Sequence, residues 1–171
     1  MGALTPPLGK SDYTIRYMTQ METVREFLAE QRFAFVGVSR QPKDFSRALF
    51  REFLARRYQP VPVHPEATEI EGMPCFPRLK DIQPPVEAAL LMTSASIANV
   101  LVQECVAAGI KKIWFYRGAG QGAVTQAALD TCLANGITAV PGECPFMFFE
   151  ESNWIHRLHG LVRQITRSYP R

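Results

Sequence analysis

Close-set cysteines, long apolar runs and blocks of like charge are all missing from this sequence. Its four cysteines stand at 75, 105, 132 and 144, too far apart for zinc-ribbon spacing or a compact disulfide framework. A reducing, cytoplasmic setting is the expectation. The longest apolar runs, such as Ala88 to Met92, are strand-sized against the roughly 18 residues that a membrane helix needs, so no membrane partner is expected. Met1 to Lys10 holds Pro6 and Pro7 and has no apolar stretch behind a basic head; it does not read as a secretory signal, and Pro6 spoils a myristoylation pattern. Lysine and arginine (19) barely exceed aspartate and glutamate (16), for a net +3. These charges are scattered, which favours a small anionic ligand at least as well as nucleic acid, and no nucleic-acid partner is expected.

What is present is the composition of an ordinary globular domain. The 171 residues are 47% hydrophobic and 20% charged, enough for a single domain with a real core and too apolar for a disordered chain. Met1 to Met18 shows no periodicity and reads as a loosely held arm, residues 1–18, ahead of one domain over 19–171. Thr19 and Glu22 make a capping-box pattern, with Met21, Val24, Phe27 and Leu28 at helical spacing behind it. Phe33 to Val38 is a near-continuous apolar run, as in a strand covered on both faces.

Strand-like and helix-like segments then alternate. Asp44 is placed to cap a helix over Phe45 to Arg57, with Leu49, Phe50, Phe53 and Leu54 as its apolar stripe. Further strands are expected at Pro60 to Val63, Val86 to Met92, Lys112 to Tyr116 and Ile137 to Val140, and further helices at Ile97 to Ala108 and Gln121 to Ala134. The helices stop at Gly109 and at Asn135-Gly136, the usual left-handed exits. A last helix, Trp154 to Arg167, carries one apolar face and is expected to pack back on the domain. This alternation predicts an α/β fold: a mainly parallel five-stranded sheet with right-handed crossovers.

Ligands of such sheets bind beyond the carboxyl ends of the strands, near the reversal of strand order. The loop after the first strand, Gly37 to Arg47, has the parts of an anion site. Gly37 permits close backbone approach, Ser39 and Ser46 supply hydroxyls, a helix start supplies unpaired N–H groups, and Arg40, Lys43 and Arg47 supply cations. No acid blocks it on this reading. The plain alternative is a solvated turn with ordinary surface charge. An NAD site at the first βαβ unit is disfavoured, because the loop lacks three-glycine spacing and strand two ends in Val63-His64-Pro65 rather than in an acid. Gly118 to Ala123 does match G-x-G-x-x-A ahead of a helix, with Glu143 after the next strand. That keeps an NAD(P)-dependent oxidoreductase as an alternative, although only one strand is expected to follow the motif.

The ordered pieces Phe35 to Arg40, Pro62 to Pro65, Ile70 to Ile82 and the glycine segment after Ile113-Trp114-Phe115 carry a family resemblance. From about Arg32 to Phe146 the chain resembles the stand-alone CoA-binding proteins, which are Rossmann-like domains similar to the CoA-binding domain of the succinyl-CoA synthetase α subunit. The resemblance implies a Rossmann-like doubly wound sheet with helices on both faces and a cradle for coenzyme A or an acyl-CoA. It places the phosphates on Gly37, Val38, Ser39 and Arg40, the adenosine by His64 and Pro65, the nucleotide and pantetheine along Thr93, Ser94, Arg117 and Gly118, and the thiol end near Cys144. Lys43, Ser46 and Arg47 complete the expected cofactor-binding set. The family commonly has asparagine where this chain has His64, and the segment after strand four is unusually rich in arginine and glycine.

The three histidines and four cysteines complete no catalytic constellation. His64 has no visible acid partner, and His156 with His159 lacks a third metal ligand, so neither catalytic nor metal residues are assigned. Cys144 is the best reactive candidate, which leaves a CoA-linked thiol redox protein as a further alternative. The synthetases to which the domain is similar need a phosphorylated histidine and an ATP-binding subunit, and neither is recognisable here. The preferred reading is a non-catalytic CoA or acyl-CoA module, with a homodimer or an enzyme partner left open.

Overall fold

The computed structural model describes residues 21–117 and 122–149. The expected arm over 1–18, Gly118 and the helix expected at Trp154 to Arg167 lie outside them. Helix α1 covers residues 21–28. There follow β1 (Arg32–Val36), α2 (Phe45–Ala55), β2 (Gln59–Val63), β3 (Glu69–Ile70), β4 (Met73–Pro74), β5 (Ala88–Leu91), α3 (Ala95–Ala107), β6 (Lys112–Phe115), α4 (Gln126–Ala134) and β7 (Thr138–Pro141). Short 3-10 turns occupy Leu79–Asp81 and Pro145–Phe148.

Five strands form one parallel sheet in the order β2-β1-β5-β6-β7. The chain moves from β1 outward to β2, returns past β1 to β5, and continues away through β6 to β7. This is a doubly wound, Rossmann-like sheet whose direction reverses between β1 and β5. Helices cover both faces, and alternation along β1 divides its side chains between them. Phe33 and Phe35 enter an aromatic-rich layer with Phe27 of α1, Phe50 and Phe53 of α2, and Trp114. Ala34 and Val36 enter a layer of smaller residues under α3 and α4, with Ala98, Val102, Ala128 and Cys132.

Departures from the sequence reading are local. Helix α4 starts at Gln126 rather than Gln121, because the Thr125 hydroxyl accepts from the Ala128 amide at 3.0 Å and so caps it there. Helix α2 ends at Ala55, ahead of the left-handed Arg57 (φ 66). The antiparallel pair β3–β4 has no counterpart in the sequence reading, since two-residue strands are too short to show a period.

Candidate functional site

Gly37 leaves β1 at the reversal with φ 86, and its N–H donates to the Val63 carbonyl at 3.2 Å. A Cβ on it would stand 2.5 Å from the Met92 carbonyl oxygen and 2.9 Å from Thr93 Cγ2. Only glycine lets the loops after β1 and β5 meet so closely. Beside this contact the Thr93 hydroxyl oxygen is buried without a hydrogen-bond partner among the described residues. An orphaned buried hydroxyl costs about 1–3 kcal/mol.

Two helix starts open onto the same place without side-chain caps. Asp44 heads α2 and Ser94 heads α3, and neither side chain accepts from its helix. Asp44 instead accepts from the Ser39 hydroxyl at 2.5 Å, and Ser94 Oγ lies 2.7 Å from Ser96 Oγ. Among the described residues the starts of both helices therefore lack a side-chain cap, and they carry the positive end of the helix dipole. Ser39 and Ser46 act inside the loop: Ser46 Oγ accepts from the Ser39 amide at 2.9 Å, and Ser39 Oγ accepts from the Gln41 amide at 3.0 Å. Val38 is fully buried in the aromatic layer, so its side chain does not line the cleft.

The cations are arranged differently from the sequence reading. Lys43 is exposed, and Arg40 pairs at 3.0 Å with Glu66 on the β2 side, both side chains being more than half exposed. Arg47 is turned inward and only 8% exposed; its Nε and Nη2 donate to Glu71 Oε1 at 2.9 and 2.7 Å, and its Nη1 donates to the Ser39 carbonyl at 3.2 Å. The expectation that no acid blocks the site therefore does not hold: Asp44 of the loop accepts from Ser39, Glu66 faces Arg40, and Glu71 holds both Arg47 and Arg51. Neither Glu66 nor Glu71 could be foreseen as a partner by counting along the chain, because both arrive from the β2–β4 region. Burial pushes the Glu71 carboxyl up, but the hydrogen bonds and charges of the two arginines outweigh it and leave the group below its ordinary range.

His64 explains its own departure from the family pattern. Its Nδ1 accepts from the Glu66 amide at 3.1 Å, the bond to residue i+2 that an asparagine side chain makes in an Asx-turn. The histidine keeps the turn through Pro65, which is exposed. Farther along the carboxyl edge, Arg117 is exposed. Gly122 closes the segment after β6: a Cβ there would lie 2.5 Å from the Tyr116 carbonyl, to which the Ala123 amide donates at 3.1 Å.

An apolar wall adjoins the α2 start. Phe45, the first residue of α2, stacks on Tyr116 with centroids 5.4 Å apart and meets Phe146 at 5.5 Å. Half-buried Cys144 belongs to the same cluster. Burial pushes the Tyr116 hydroxyl up to about 12, with Cys144 adding to it. Burial also raises the Cys144 thiol, which the Phe146 amide only partly offsets and Glu143 reinforces, so at neutral pH it is a protonated thiol and a poor nucleophile. The sequence reading did not pick out Phe45 or Tyr116, though an aromatic at the first position of a helix on the ligand edge was a visible signal. Among the described residues no group of three or more metal-ligating side chains comes together, and no helix is long and apolar enough to cross a membrane.

Fold and site together set two helix starts without side-chain caps and a close glycine contact at the switch point of a doubly wound sheet. The CoA binding domain family matches residues 31–150, and the chain belongs to that family. Solved structures share the fold. Prb, a redesigned binding protein, aligns with a TM-score of 0.68 at 22% identity over 75% of this chain and 87% of its own. A hypothetical protein from Pyrococcus horikoshii OT3 gives 0.67 at 24% identity over 74% and 87%. A dinucleotide-forming acetyl-coenzyme A synthetase of Ca. Korarchaeum cryptofilum, solved with phosphate and ADP, gives 0.57 at 19% identity over 66% of this chain and 25% of that much longer one.

Proposed function

We propose that this protein binds coenzyme A or an acyl-CoA as a nucleotide-binding module without catalytic machinery of its own. Family membership supports CoA as the ligand class. The single observation that carries the placement is the Thr93 hydroxyl beside the Gly37 contact, at the reversal of the sheet, which has no hydrogen-bond partner among the described residues. In this reading the diphosphate lies across the α2 and α3 starts, where the first-turn amides, Lys43 and Arg40 meet its charge. The adenosine lies toward His64 and Pro65, with Arg117 along the cofactor's path. The pantetheine and its thiol or acyl end run along the apolar wall of Phe45, Tyr116 and Phe146 toward Cys144.

The residues present fit this ligand: the two helix starts lack side-chain caps and have Lys43 and Arg40 near α2, and the wall of Phe45, Tyr116 and Phe146 is apolar. When bound, the ligand supplies a thiol or thioester; the protein's residues bind and orient it. Arg40 contributes through an ion pair with Glu66 that a phosphate must compete for, and an exposed pair of this kind is worth about 0–1 kcal/mol, a low barrier to exchange.

Thermal shift with CoA, acetyl-CoA, dephospho-CoA, NADH and NADPH tests the reading. CoA and acetyl-CoA are expected to raise the melting temperature most, with dephospho-CoA weaker because it lacks the 3′-phosphate. Larger shifts from NADH or NADPH, or none from any CoA species, refute it.

A further inference from the structure

The β3–β4 turn departs from the residue preference of its own geometry. Glu71 (φ 50) and Gly72 (φ 75) are both left-handed, the setting of Asn-Gly or Gly-Gly in a two-residue hairpin. A glutamate gains nothing there from the turn itself, and residues that break a local rule point to a role elsewhere.

Its carboxylate reaches across to the loop after β1. Oε1 accepts from Arg47 Nε at 2.9 Å, from Arg47 Nη2 at 2.7 Å and from Arg51 Nη1 at 2.7 Å. Arg47 has one nitrogen left, and Nη1 donates to the Ser39 carbonyl at 3.2 Å and approaches the Arg40 carbonyl at 3.5 Å. A trans peptide sets its C=O and N–H on opposite sides. Holding the Ser39 carbonyl against the buried guanidinium therefore turns the Arg40 N–H away from Arg47. The neighbouring amides are already used within the loop, Ser39 N–H on Ser46 Oγ and Gln41 N–H on Ser39 Oγ.

We propose that Glu71 and Arg47 form a positioning pair that presents the Arg40 amide to a phosphate oxygen: the carboxylate fixes the guanidinium, and the guanidinium fixes the loop carbonyls. The inference rests on the phosphate-binding reading of this loop and moves Arg47 from ligand contact to the support behind it.

The test is Glu71→Asn, which suits the left-handed backbone and lets the turn form while removing the charge, with Glu71→Gln as the variant that keeps an acceptor of the same length. In the ligand-free protein, hydrogen exchange at the Ser39 and Gln41 amides is expected to rise about tenfold or more, the loss of a bond to a charged group. Exchange in β1 and α3 should stay unchanged. In CoA titration by calorimetry, the dissociation constant of Glu71→Asn should rise about tenfold, with Glu71→Gln between it and wild type. Unchanged loop exchange overturns the positioning role, as does acceleration spread evenly over the domain. Faster loop exchange with unchanged CoA affinity overturns its link to the ligand. A wild-type protein without CoA affinity overturns the functional reading, while the exchange comparison still decides the positioning role by itself.

Discussion

Replacing Gly37 by alanine separates two costs that the structure combines at one residue. The backbone there has φ 86, and an added Cβ would stand 2.5 Å from the Met92 carbonyl oxygen. Left-handed strain costs an L-residue about 1–2 kcal/mol, and forcing a methyl against packed backbone adds about 1–3 kcal/mol, so Gly37→Ala should lose about 2–5 kcal/mol. For a chain of this size each kcal/mol lowers the melting temperature by roughly 2–4 °C, giving a fall of about 4–20 °C. Gly109 is the control, with φ 77 and nothing within 4 Å of its virtual Cβ; Gly109→Ala should show the strain alone, about 1–2 kcal/mol. Urea denaturation of both variants, read by tryptophan fluorescence and circular dichroism, gives the two values. Equal losses would mean that the β1 and β5 loops give way to a methyl at no cost, and the argument for a close-packed switch point fails.

Other residues give separate expectations. Thr93→Val removes the orphaned hydroxyl at nearly constant shape; the ligand-free protein should be as stable as wild type or up to about 1 kcal/mol more so, while CoA binding weakens about tenfold. Calorimetry that finds unchanged affinity would show that Thr93 does not face the ligand. His64→Asn should keep stability within about 0.5 kcal/mol, because Oδ1 can accept from the Glu66 amide as Nδ1 does, whereas His64→Ala should lose about 1 kcal/mol; equal losses in urea melts would discount the turn argument. Glu71 titrates lower in the folded chain than when unfolded, so its contribution is present above the ordinary carboxylate pKa and is lost as pH falls through the lowered one. Acid titration of stability should therefore be shallower in Glu71→Asn than in wild type, and parallel curves would contradict the assignment.

The architecture was readable because its signals are periodic and local. Apolar runs of strand length alternate with amphipathic stripes, and Leu49, Phe50 and Phe53 do cover the sheet as their spacing implies. The ligand edge was readable for a related reason: in such a sheet it follows from topology, and Gly37 stood at the end of the first strand. The electrostatics were not. Arg40, Lys43 and Arg47 look equivalent along the chain, yet one is paired at the surface, one is exposed and one is buried behind the loop. That sorting depends on Glu66 and Glu71, which topology brings in from beyond β2. The Phe45–Tyr116 stack is likewise a product of tertiary placement, announced along the chain only by the aromatic that opens α2, whereas the His64 turn is a local bond to the residue two positions on.

Amide chemical shifts of the labelled protein titrated with CoA test the central placement most directly. The largest changes should fall on two separated stretches, Gly37 to Ser46 and Thr93 to Ile97, which meet only at the reversal between β1 and β5. Changes concentrated instead between Gly122 and Gln126, or the absence of any change at saturating CoA, would contradict the account.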